Sequence, residues 1–215
     1  YINFIIFTYY LIVNFIDEYF FWYMLNKLLV CLTGMPGAGK STIADGLKPK
    51  GYEIINLGNA VREEAKKRNL DPTRENLGKL MLELRENNGA GAIAELAKPI
   101  IESSNANVLL IDGVRSNDEI QVLRKLGTVK LLAIHASTDT RFNFLQKRGR
   151  SDDPQTKEHF NERDDRELGV GVSNSIALSD FAISNIGLTK DELIKKSYDI
   201  IQRWVEWILL ILVAK

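Results

Sequence analysis

The stretch Gly34-Met35-Pro36-Gly37-Ala38-Gly39-Lys40-Ser41-Thr42 decides the reading of this chain. It fits the phosphate-binding pattern G-x-x-x-x-G-K-[ST]. Glycines let the backbone wrap a phosphate and turn its N–H groups inward. Lys40 is placed to reach the β- and γ-phosphates of a nucleotide, and Ser41 to offer its hydroxyl to Mg²⁺. The flanks have the form this loop requires. Residues 27–33, Lys-Leu-Leu-Val-Cys-Leu-Thr, read as a buried parallel strand, and 41–47 read as a helix start. A glycine turn with an incidental lysine would not need either flank.

Outward from the loop, further apolar runs recur at 52–57, 107–112, 129–135 and 180–184. Between them the spacing is helical. Leu77, Leu80, Met81 and Leu84 keep one face, and Leu193, Ile200, Ile201, Trp204 and Ile208 form a stripe on the last helix. Strands alternating with helices predict a three-layer α/β fold, a five-stranded parallel sheet with helices on both faces. Residues 24–215 contain no repeat and no linker, so one domain is expected.

Composition narrows the function. The 215 residues carry 28 basic and 28 acidic side chains, so no basic field points to nucleic acid. The single cysteine, Cys31, lies in the first predicted strand. It reads as a buried structural thiol in a reducing, cytoplasmic setting.

Residues 1–23 differ from the rest. Seventeen of them are Phe, Ile, Asn or Tyr, and none is Gly, Ala, Lys or Arg. The first methionine is Met24, three residues before the first predicted strand. The segment is expected to be translated upstream sequence, with Met24 as the start, and is set aside from the fold. A membrane anchor is the rival, but the apolar run of 1–16 falls short of the roughly 20 residues a span needs. Near the other end, 207–214 is an apolar run of eight residues. It reads as a helix end that packs on the core or on a partner.

Chemistry-bearing residues gather after the strands. Asp112 ends the run Leu109-Leu110-Ile111, where a carboxylate at the carboxyl edge of the sheet holds Mg²⁺ or its waters. An Asp-Gly turn is the plainer alternative. Arg62, Arg115, Arg141, Arg148, Arg150, Arg163 and Arg166 also follow strands. Phosphoryl transfer between anionic partners needs such positive charge, and Arg grips phosphate through two parallel N–H groups. His135 and His159 have no partner suited to metal binding or nucleophilic chemistry.

Four segments carry a family resemblance. Leu57-Gly58-Asn59-Ala60-Val61-Arg62 resembles the T-G-D-x-L-R acceptor segment of adenylate kinases, and Leu110-Ile111-Asp112-Gly113-Val114-Arg115 resembles their L-D-G-F-P-R. Arg150-Ser151-Asp152-Asp153 with Arg163 is similar to the lid pattern R-x-D-D…R, and Ala177 to Asn185 is similar to the A-D-x-x-I-x-N of dephospho-CoA kinases. Over roughly 27–205 the chain resembles the archaeal adenylate-kinase-related P-loop family, a dephospho-CoA-kinase-like branch of the nucleoside monophosphate kinase superfamily. The resemblance implies ATP and Mg²⁺ as cofactors and a helical lid at about 146–170. It implies Lys40, Asp112, Arg150 and Arg163 as catalytic, and Arg62, Arg115 and Arg148 as substrate-binding. Asp152-Asp153 would cap the lid helix, position its arginines, or do both.

The sequence also departs from that pattern. Leu57 and Asn59 replace Thr and Asp, the D-G-V-R run is shorter and lacks proline, and no glutamine matches the reader of the acceptor adenine. Three expectations follow. The first is transfer to a small nucleotide-like acceptor, with neither nucleic acid nor membrane as partner unless residues 1–23 belong to the protein. The second is transfer to the 3′-hydroxyl of dephospho-CoA, and the third is a nucleotide-dependent switch with slow ATPase.

Overall fold

A computed structural model describes residues 27–150 and 153–213; the side chains of 209 and 211–213 are not described. The expectations for residues 1–23 therefore fall outside the described residues, as do Ser151 and Asp152 of the lid pattern.

The five strands are β1 (Leu28–Thr33), β2 (Glu53–Asn56), β3 (Val108–Val114), β4 (Thr128–His135) and β5 (Phe181–Ser184). They lie in the order β2-β3-β1-β4-β5 and every pair is parallel. Their apolar runs are continuous because both faces are covered. Leu29, Cys31, Leu109 and Ile111 point to one side; Leu28, Val30, Leu32, Leu110 and Leu132 point to the other.

The first layer is covered by α2 (Leu57–Lys67), α3 (Arg74–Asn88), α4 (Ala92–Ser103) and α5 (Asn117–Arg124). The second is covered by α1 (Lys40–Leu47) and α9 (Lys190–Val213). The predicted stripes face inward. Leu77, Leu80 and Leu84 are buried on α3, and Leu193, Ile200 and Ile201 on α9. Each such side chain contributes about 1.5–3 kcal/mol by leaving water. No helix among the described residues is long and apolar enough to cross a membrane.

Two boundaries differ from the sequence reading. The second strand stops at Asn56, and Leu57 is the first residue of α2. The Asn56 side chain accepts from the Asn59 amide and caps the helix, which ends the strand one residue early. Nor does Asp112 end its strand in a turn. β3 runs on to Val114 through a bulge, with Leu32 opposite Asp112 and Thr33 opposite Val114. Gly113 takes φ 96 there, a left-handed value that admits the extra residue.

The remaining helices build one wall over the carboxyl edge of the sheet. They are α6 (Thr138–Arg148), α7 (Lys157–Val170) and α8 (Val172–Ala177). Phe142, Leu145 and Phe160 form a small core between α6 and α7, with the two rings edge to face at 5.4 Å. Removing residues 1–23 is expected to leave this fold and its nucleotide affinity intact. Melting and ATP titration of residues 24–215 beside the full chain check it; aggregation or lost binding in the shorter chain alone would place 1–23 in the fold.

Candidate active site

The loop of residues 34–42 joins β1 to α1, as the strand–loop–helix pattern requires. No glycine of this loop has a substitute, as Gly34 and Gly39 illustrate. Gly34 takes φ 135, and a Cβ there would run into the Ile134 carbonyl of β4. Gly39 takes φ 113, and a Cβ there would come within 2.6 Å of Asn185 Nδ2.

The loop is braced from outside. Arg141 Nη1 donates to the Pro36 carbonyl at 3.1 Å, and Asn185 Nδ2 donates to the Ala38 carbonyl at 2.9 Å. In a trans peptide the N–H points opposite the C=O. Holding these two carbonyls therefore turns the Gly37 and Gly39 amides to the other side. Arg141 is itself fixed by Asp164 on α7, at 2.8 Å, and lies 4.8 Å over the Phe160 ring. Asn185 falls just beyond β5 and is buried.

One cleft of about 700 Å³ opens over this loop. Its walls include Gly34, Pro36, Gly37, Gly39, Lys40, Ser41 and Thr42, the carboxyl edge at Asn56 and Asp112, and Arg62, Arg115, Arg148, Arg150 and Arg163. The fold thus gathers nearly all the residues singled out in the sequence; Met35 and the buried Ala38 complete the loop without lining the cleft.

Lys40 Nζ donates to the carbonyls of Gly34 (2.6 Å) and Met35 (3.0 Å). Burial pushes its pKa down to about 8; Asp112 and Glu167 oppose the shift, and Arg115 and Arg163 add to it. An ammonium flanked by two guanidinium groups in a cleft is a site that a polyanion stabilises.

Asp112 is buried, and its Oδ2 accepts from Asn56 Nδ2 at 2.6 Å. The α2 amide of Asn59 holds the other end of that amide group, so Asn56 is locked with its donor toward the carboxylate. Ser41 and Asp112 line the same cleft. A hydroxyl and one carboxylate fit Mg²⁺, which keeps several waters and shares its shell with phosphate oxygens. Among the described residues no group of three or more His, Cys, Asp and Glu side chains forms a metal cage.

The arginines divide into two sets. Arg62 projects from α2, with Nη1 donating to Asn59 Oδ1 at 3.1 Å, and Arg115 follows β3, paired with Glu167 of α7 at 2.9 Å. Between α6 and α7, the buried Asp153 collects Arg148 Nε (2.9 Å) and a second Arg148 nitrogen, Arg163 Nη1 (3.3 Å) and the Arg150 amide (3.0 Å). Burial alone would raise the Asp153 carboxyl. Arg148, the Arg150 amide and Arg163 outweigh it and hold the pKa below the usual carboxylate range. The cap of α7 is Thr156, whose side chain accepts from the His159 amide. Asp153 therefore organises arginines and leaves the capping to Thr156.

Sequence reasoning missed three parts of this site. Asn56 was hidden inside an apolar run, although its polarity beside the strand end was a visible signal. Arg141 was one arginine among seven. Asn185 closed a quoted motif but had no assigned contact.

A family model described as an AAA domain matches residues 33–161. A UPF0200 protein of Hyperthermus butylicus is 43% identical over 160 residues, covering 74% of this chain and 86% of that one. A UPF0200 protein of Methanocaldococcus jannaschii is 44% identical over 160 residues, covering 74% and 81%. Among solved structures, TT1252 from Thermus thermophilus superposes with a TM-score of 0.61 at 16% identity, covering 82% of this chain and 98% of that one. A shikimate kinase from Acinetobacter baumannii in complex with shikimate gives 0.54 at 13% identity, covering 84% and 96%. The two superpositions agree with the five-stranded parallel P-loop fold described above. With relatives this similar over most of their own length, the chain belongs to the UPF0200 family.

Proposed function

We propose that this protein is an ATP- and Mg²⁺-dependent phosphotransferase of the cytoplasm that acts on a small nucleotide-like acceptor, as nucleoside monophosphate kinases do. The observation that carries this reading is the shared cleft. A phosphate-binding loop, one buried carboxylate and five arginines from four segments converge on it. A hydrolytic switch has no need of arginines on the acceptor side, at Arg62 and Arg115.

The loop amides and Lys40 hold the donor phosphates, while Ser41 and Asp112 would hold Mg²⁺, which neutralises charge on the donor when bound. Arg62 and Arg115 orient the acceptor. Arg148, Arg150 and Arg163 travel with the lid at about 146–170. Asp153 presents two of them as a unit, so the lid brings charge to the migrating group already arranged. Closing the lid also excludes water, which limits hydrolysis of ATP. No protein nucleophile is required.

A second reading, transfer to the 3′-hydroxyl of dephospho-CoA, is favoured by Asp112. A buried carboxylate locked by Asn56 at the sheet edge is placed to accept a hydroxyl proton. Nucleoside monophosphates and dephospho-CoA, each tested with ATP and GTP, separate the two readings. Hydrolysis independent of every acceptor would overturn both.

Arg62→Ala is expected to raise the acceptor KM about 10–100-fold, the loss of one charge-assisted contact, with the ATP KM nearly unchanged. Steady-state kinetics with either substrate varied check it. An unaltered acceptor KM would remove residues 58–62 from the acceptor site.

A further inference from the structure

We propose that the acceptor carries a second anionic group, remote from the reacting oxygen, which binds between α3 and α7 on Arg74 and Arg166. The proposal rests on the phosphotransferase reading above and specifies its substrate class as a bis-anionic small molecule.

The subsite is a recess of about 40 Å³ that shares Gly58, Arg62, Arg115 and Arg163 with the main cleft. Beyond those residues its lining includes Arg74, Gly78, Met81, Arg166 and Glu167. Five of the lining side chains are guanidinium groups and one is a carboxylate. Glu167 is already committed to Arg115 at 2.9 Å, and Arg163 to Asp153 at 3.3 Å. A neutral nucleobase edge has no use for the guanidinium of Arg166.

Arg166 makes the strongest case. It has no ion pair among the described residues, and its buried Nε has no hydrogen-bond partner among them. Arg85 Nε is unpartnered in the same way, but Arg85 holds Glu119 through Nη2 at 2.8 Å, whereas Arg166 holds no carboxylate among the described residues; that difference points to a ligand at Arg166. Among the described residues Arg74 is tied only to Glu162 at 3.1 Å and to the His159 carbonyl at 3.4 Å. The Arg74 and Glu162 side chains are 30% and 62% exposed, a solvated pair that an arriving anion displaces at little cost.

The probes are adenosine 3′,5′-bisphosphate and AMP, titrated into the full chain and also offered as acceptors with ATP. The bisphosphate is expected to bind at least about 10-fold more tightly than AMP, as one added charge-assisted contact allows. Arg166→Gln should erase that difference and leave AMP and ATP binding unchanged. A merely structural Arg166 would instead lower the melting temperature and shift both ligands alike.

Equal affinity for the two probes, failure of both to bind, or a preference that survives Arg166→Gln would overturn the subsite. Turnover separates this from the underlying reading. Transfer to an acceptor that is indifferent to Arg166 sinks the subsite and keeps the kinase. Arg166-dependent binding without transfer keeps the subsite and sinks the kinase.

Discussion

Replacing Lys40 by alanine is expected to lower phosphoryl transfer about 10²–10³-fold, the range for losing one preorganised charge donor. Lys40 Nζ rests on the Gly34 and Met35 carbonyls in the cleft. On the proposed reading, charge that builds on the β–γ bridge during transfer falls to this ammonium. Stability should not follow activity. Burial together with Arg115 and Arg163 already pushes this lysine down to about 8, so the folded state bears a cost for its charge. Removing it should leave the melting temperature unchanged or slightly raised. Initial rates beside a thermal melt check both halves, and unchanged turnover would rule out a role for this loop in transfer.

Arg163→Ala should be the second large effect, lowering kcat by up to about 10³-fold while the KM for ATP moves little. Arg163 sits on α7, nearly buried, with Nη1 on Asp153. On the proposed reading α7 belongs to a closing lid, and a group fixed there acts mainly when charge is moving, so its loss shows in kcat. Losing the only partner of a buried charge costs about 3–5 kcal/mol. The loss here should be smaller, because Arg148 and the Arg150 amide still hold Asp153. A fall in kcat with a modest fall in melting temperature separates this from simple unfolding. If kcat stays unchanged, Arg163 is only a brace for Asp153.

The strands were legible because a parallel sheet covered on both faces leaves continuous apolar runs, and all five predicted runs became strands. The loop was legible because its backbone demands glycine: Gly34 faces the Ile134 carbonyl and Gly39 faces Asn185. What stayed hidden depends on contacts between distant segments. Asn56 meets Asp112 only because β2 lies beside β3 in that register. Arg141 reads as one more surface arginine until Pro36 and Asp164 are seen on either side of it. Arg74 and Arg166 lie 92 residues apart in sequence on different helices, and no local pattern joins them. Asp153 shows the opposite case. The R-x-D-D spacing pointed to it, and the fold gave its role to arginines while Thr156 took the cap.

The fate of the γ-phosphate tests the central claim most directly. The full chain is incubated with γ-labelled ATP, Mg²⁺ and a mixture of nucleoside monophosphates, adenosine 3′,5′-bisphosphate and dephospho-CoA, and the label is followed. A phosphotransferase leaves the label covalently on one acceptor, with little free phosphate and with loss of both signals in Lys40→Ala. Label released only as inorganic phosphate, at a rate no acceptor changes, would contradict the kinase assignment.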